Sequence, residues 1–151
     1  MTIRQPVLMA ELVMSIQRLM DAADKAEPVA GEWPPAVVLG HLVQVDDQVW
    51  LERINQMVNA SDAGAAAPEF DWWEPDPEVT LETFADATVE SVSADLIASR
   101  TRLLTRLREL SDTQWQATGV HSTHGVMDIT ALLMQLLRHD EEHRESLVLP
   151  A

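Results

Sequence analysis

The sequence predicts an all-α chain folded as a four-helix bundle. Two observations carry that prediction. Apolar residues recur at steps of three and four over four long stretches, the spacing of one helix face. No stretch keeps a period-two alternation bounded by turns, so nothing reads as a strand. The length agrees: 151 residues, 46% of them hydrophobic, suffice for one domain over residues 1–151 with its own core.

The first helix spans about Pro6 to Lys25, with Leu8, Leu12, Ile16, Leu19 and Ala23 on one stripe. Pro6 suits a first turn, and "EPVAGEWPP" breaks the helix. The second spans about Pro35 to Val58. Its stripe is Val38, Leu42, Val45 and Val49, with Trp50, Ile54 and Met57 as an adjacent row. Then comes "NASDAGAAAPEFDWWEPDPEVT", long for a bundle connection; a long crossover is one bundle solution. The Trp72–Trp73 pair reads as packing for this linker, with a substrate lid as the rival. The third helix spans about Leu81 to Leu110, through Phe84, Thr88, Val92, Leu96, Leu103 and Leu107. "SDTQ" from Ser111 is a capping box opening a short turn that carries Trp115. "ATGVHSTHG" reads as a loop. The fourth helix spans about Ile129 to Leu147, with Asp128 as N-cap and Pro150 beyond its end.

Composition excludes several functions. Twenty-five acidic residues against 10 basic give a net charge of −15, which argues against nucleic acid and anionic membrane as partners. No apolar run approaches the ~18 residues of a membrane span. With no cysteine, a disulfide scaffold, a thiolate zinc site and a Cys nucleophile are ruled out. That absence, and an N-terminus without a clean signal peptide, fit a cytoplasmic protein. Asp46 and Asp47 read as solvated, and Gln44 and Gln48 as residues that could face a cavity. Arg100, Arg102, Arg106 and Arg108 read as a solvated face of helix three.

The histidines carry the chemistry. His139 and His143, four apart, continue the line of Leu132 and Leu136, and Leu147 resumes it. They therefore face the bundle interior or its mouth. Burial there costs roughly 1–3 kcal/mol for each unpaired group. A metal, a hydrogen-bond partner or water must satisfy them. His41 shares the side of Val38 and Val45 on helix two. Three imidazoles from two helices can supply three nitrogen ligands and leave a coordination position open. The motif is not HExxH, because Asp140 stands where the glutamate is needed. It is not a carboxylate di-iron set either. His121 and His124 read as solvated loop residues, His121 being the better functional candidate.

"EWPPAVVLGHLVQVDD" around His41, and "RLLTRLRELSDTQWQATGVHSTHGVMDITALLMQLLRHDEEH" from Arg102 to His143, resemble the DinB/YfiT-like superfamily. The resemblance covers nearly the whole chain and is weakest from about Asn59 to Thr80. It implies an up-up-down-down bundle with a divalent metal held by His41, His139 and His143. Nickel, zinc, iron and manganese are the metals implied. A homodimer and a small-molecule substrate are implied too, and for some relatives a low-molecular-weight thiol. A Ser or Thr often caps the second helix in that family; here Pro34 and Pro35 stand instead. The function expected is a metal-dependent enzyme, a thiol-dependent transferase or a hydrolase. The alternative is a non-catalytic metal-binding or small-molecule-binding dimeric bundle.

Overall fold

The computed structural model describes residues 4–148; Pro150 lies outside them. The elements in chain order are α1 (Arg4–Lys25), α2 (Pro35–Val45), a π-helical turn (Asp46–Trp50), α3 (Leu51–Asp62), β1 (Glu69–Phe70), α4 (Pro77–Thr83), α5 (Val89–Glu109), α6 (Asp112–Trp115), β2 (Thr118–His121), β3 (Gly125–Asp128) and α7 (Ile129–Val148). The frame is a four-helix bundle: α1, the near-continuous α2–π turn–α3 rod, α5 and α7.

Each long helix forms where its apolar stripe finds cover. On α1 that stripe is Leu8, Leu12, Ile16, Leu19, Ala22 and Ala23. On α5 it is Val92, Leu96, Leu103, Leu104 and Leu107, and on α7 Ile129, Leu132, Leu133 and Leu136. Helix α2 is buried nearly all round, from Pro35 to Leu42 and again at Val45. It opens on Pro34 and Pro35 with no side-chain cap, since a proline at the helix start gives up no needed donor. Ser111 and Gln114 form the expected capping box of α6. The Asp128 carboxylate accepts from the Ala131 amide at 2.8 Å, as an N-cap should.

Two expectations are corrected. The third helix is two helices. Asp76 caps α4 by accepting from the Glu78 and Val79 amides, and Thr88 and Ser91 form a reciprocal capping box that starts α5 afresh. The intervening Phe84 leaves the helical register and packs, partly buried, against the core cluster around Leu39 and Leu42. The chain also has strands. Residues 118–121 and 125–128 form an antiparallel hairpin, with Thr118 opposite Asp128 and His121 opposite Gly125. Glu69 and Phe70 of the long linker pair parallel to Val120 and His121. Gly125, at φ +72°, makes the left-handed turn residue. Segments of two and four residues are too short to show a period.

The core falls into two apolar clusters. One gathers Leu8, Leu12, Ile54, Leu103, Leu132 and Leu136; the other gathers Ile16, Leu19, Leu39, Leu42 and Leu96. Between them lies a polar layer built on Arg100. Its guanidinium reaches both oxygens of Asp46 at 3.1 Å, Oδ2 of Asp140 at 3.0 Å and the Leu12 carbonyl at 2.8 Å. Ser15 donates to Asp140 at 2.8 Å, and Ser99 to Asp46 at 3.1 Å. Arg100 is fully buried, and Asp46 and Asp140 nearly so. This overturns the solvated reading of Asp46 and of Arg100; Asp47 and Arg102 do pair at the surface. Burial pushes both buried carboxyls up against the pull of the guanidinium. Burial also opposes the Arg100 charge, but Asp140 and Asp46 outweigh it.

Replacing Arg100 with Met leaves two carboxyls buried without their cation. The expected loss is about 3–5 kcal/mol of unfolding free energy. A urea titration of Arg100→Met against the parent checks this, and a loss under about 1 kcal/mol would contradict the role given to this layer.

Candidate metal centre

His41 stands on the buried side of α2, one turn before the π-helical turn. His139 and His143 stand on α7, one turn apart, where the apolar stripe gives way to Asp140. Ligand-capable atoms of all three rings lie within 4.8 Å of one another. Ring centroids are 5.7 Å apart for His41–His139, 5.0 Å for His41–His143 and 4.6 Å for His139–His143. His41 is buried, and the α7 pair is half-buried at the bundle mouth.

Three tryptophans frame the trio. Trp33 lies 5.3 Å from His41, Trp73 stacks on His41 at 6.2 Å with rings 20° apart, and Trp50 meets His139 edge-on at 6.0 Å. Sequence reasoning assigns no role to Trp33 and places Trp50 only in an apolar row beside Ile54 and Met57. Trp33 stands eight residues before His41, and Trp50 reaches the trio only because the rod continues through the π-helical turn.

The donor set fits a divalent ion. His139 and His143 bring their Nε2 atoms to 3.3 Å. Two nitrogens sharing a tetrahedral ion at ~2.0–2.1 Å stand roughly 3.3 Å apart. Nδ1 of His41 is buried with no hydrogen-bond partner among the described residues. Such an orphaned atom is costly in a closed protein interior. Burial, then His143 and His139, pull the His41 pKa down to about 3. Burial, then His139, pull His143 down to about 4, and burial lowers His139. All three imidazoles are thus neutral at physiological pH, the form that offers a lone pair to a metal.

His121 and His124 stay apart from the trio. His121 is buried rather than solvated, which corrects the loop reading. Its Nδ1 accepts from the amides of Thr123 and His124 at 3.0 and 3.3 Å, closing the hairpin turn. His124 is exposed. Trp72 covers both rings and donates from Nε1 to Thr123 Oγ1 at 2.9 Å. The tryptophan pair therefore straddles two sites, Trp72 on the hairpin and Trp73 on His41. Gln48 is exposed and Gln44 half-buried; neither lines the cleft beside His143.

The lowered values fix a pH dependence. Below the ordinary histidine value the unfolded chain takes up protons that the folded trio refuses, so the metal-free protein loses stability as pH falls. Each such histidine contributes roughly 1.4 kcal/mol per pH unit. Asp46 and Asp140, raised by burial, act with the opposite sign, so the informative comparison is with a His41→Gln protein. Unfolding titrations from about pH 6 to about pH 4 should show a shallower acid destabilisation in the variant; equal slopes would contradict a buried neutral His41.

The comparisons with known proteins agree with this architecture. The structure is similar to YfiT from Bacillus subtilis, described as a probable metal-dependent hydrolase with an unusual four-helix bundle topology. The TM-score is 0.69 at 16% identity, covering 94% of this chain and 82% of YfiT. It is also similar to a histidine-to-alanine mutant of the mycothiol-dependent maleylpyruvate isomerase, with a TM-score of 0.62 at 13% identity. That match covers 97% of this chain but 61% of the isomerase, so the chain spans about three fifths of that protein's length. At such identities the likeness is one of fold. No curated protein sequence matches the chain. The family model of the DinB superfamily matches residues 9–147, nearly the whole length, and the chain belongs to that superfamily.

Proposed function

We propose that the protein is a metal-dependent enzyme whose centre is His41, His139 and His143. The observation that carries the reading is the convergence of three neutral imidazoles from two helices at the head of a cleft lined by His143. Three protein ligands with one side open is the pattern of catalytic rather than structural sites. A bound divalent ion would supply Lewis acidity toward whatever enters that side.

The chain's own residues do the rest. Trp50, itself buried, meets His139 edge-on, while Trp33 and Trp73 pack against His41. The Arg100 layer holds α7 through Asp140, the residue between the two α7 histidines' turn and the core. Of the carboxylates beside the α7 histidines, Asp140 is turned into the Arg100 layer and Glu141 is paired with Arg144, while Glu142 stands exposed at the cleft next to His143. A bound divalent ion would itself favour the thiolate form of an entering thiol, which supports transfer of a low-molecular-weight thiol as the first reading. Hydrolysis is the second reading, favoured by the description of YfiT. Nickel, zinc, iron and manganese all accept such imidazole sets. A homodimer in the cytoplasm completes the proposal, and light scattering checks the former.

Elemental analysis of untagged protein never exposed to a nickel column should find about one divalent ion per chain, and none in a His41→Ala, His139→Ala double variant. The cobalt-loaded protein should then change its visible spectrum when a low-molecular-weight thiol is added. Absence of metal after incubation with all four ions would refute the centre. Metal without thiol binding, and without activity in thiol-transfer and hydrolase screens, would refute the enzymatic reading.

A further inference from the structure

A cleft of about 1010 Å³ opens beside His143. It runs between the end of α1, the α1–α2 turn and the last turns of α7. Its wall has two characters. Trp33, Val38 and Leu147 are apolar, and Trp33 also stands against His41. Glu27, Glu32 and Glu142 are acidic and exposed. None of the three has an ion-pair partner among the described residues. The one basic lining residue, Lys25, is already engaged with Asp21 at 3.2 Å.

We propose that this cleft takes a small molecule with a cationic, ammonium-type head and an apolar body, its head set among Glu27, Glu32 and Glu142 beside the Trp33 ring. The inference rests on the reading of the His trio as the reactive end of the cleft. Three separate observations carry it. Among the described residues the rim holds three unpaired carboxylates against one lysine, itself paired with Asp21. The indole of Trp33 lines the same cleft, and tryptophan is the ring type that attracts cations best. The whole chain, at −15, draws cations toward it and repels anions. Glu142 directly precedes His143 and both line the cleft, which places the acidic rim beside the trio. An anionic substrate would meet three carboxylates against one lysine that Asp21 already engages.

Three probes share one body and differ in charge: phenethyltrimethylammonium, phenethyl alcohol and hydrocinnamate. The quaternary ammonium cannot ligate a metal, so its binding reports the rim alone. Calorimetric titrations at low ionic strength on metal-free protein should show the cation binding about tenfold more tightly than the alcohol, with the carboxylate weakest, and zinc loading should leave the preference of cation over alcohol in place. Added salt should shrink the gap. A Glu32→Gln, Glu142→Gln double variant should bring the preference below about threefold. The proposal is overturned if the carboxylate binds as tightly as the cation to metal-free protein, if no probe binds, or if the double variant keeps the full preference. Metal content of the same samples separates the two readings. Cation preference without metal removes the enzyme and keeps the cleft's selectivity; metal without cation preference removes only this inference.

Discussion

The guanidinium of Arg100 is the interaction on which the architecture turns. It is fully buried, and its partners come from every long helix: the Leu12 carbonyl on α1, Asp46 at the π-helical turn, Asp140 on α7, with Ser15 and Ser99 completing the layer. A buried ion pair adds little net stability over apolar packing, because desolvation offsets attraction. What this one adds is register. Apolar clusters above and below it could slide by a turn with modest loss, whereas a guanidinium fork has one geometry that meets two carboxylates and a carbonyl. Asp140 is the residue after His139, so fixing Asp140 fixes where the α7 imidazoles stand.

The same layer accounts for the π-helical turn. The turn begins at Asp46, one of the two carboxylates on Arg100, and ends at Trp50, which meets His139 edge-on. A π turn shifts the phase of the helix beyond it. Here Val45, Asp46, Val49 and Trp50 are all buried across the turn. The irregularity lets one rod present His41, then Asp46, then Trp50 to the interior.

Much of this was legible in the sequence, because a helix stripe is a local pattern. Leu8 to Ala23 and Leu132 to His143 could be read without any partner. The capping box at Ser111 and the cap at Asp128 are local too. The grouping of His41 with His139 and His143 could be anticipated because each lies on an apolar side of its own helix. Arg100 and Asp46 could not be read. The residues that justify burying Arg100 lie 54 and 40 positions away, and nothing beside it in sequence distinguishes it from the surface residue Arg102. His121 was hidden similarly, since its role is to accept two amides in a hairpin whose strands are only four residues long. The break at Phe84 was missed because its apolar side chain matched the spacing of a stripe it does not belong to.

The two-residue strand β1 has an effect out of proportion to its length. It anchors the connection from α3 to α4 near its middle, leaving six residues on either side. Val120 and Ser122 donate to Pro68 and Phe70 at 2.8 Å, and the Trp pair follows at once. Loop-closure entropy depends on the free length between fixed points, so one anchored midpoint narrows what both halves can sample. The cost of ordering Trp73 over His41 is then met when the chain folds rather than when a ligand arrives. A connection that reads as the loosest part of the sequence is a source of preorganisation, and binding at the trio has less disorder left to remove.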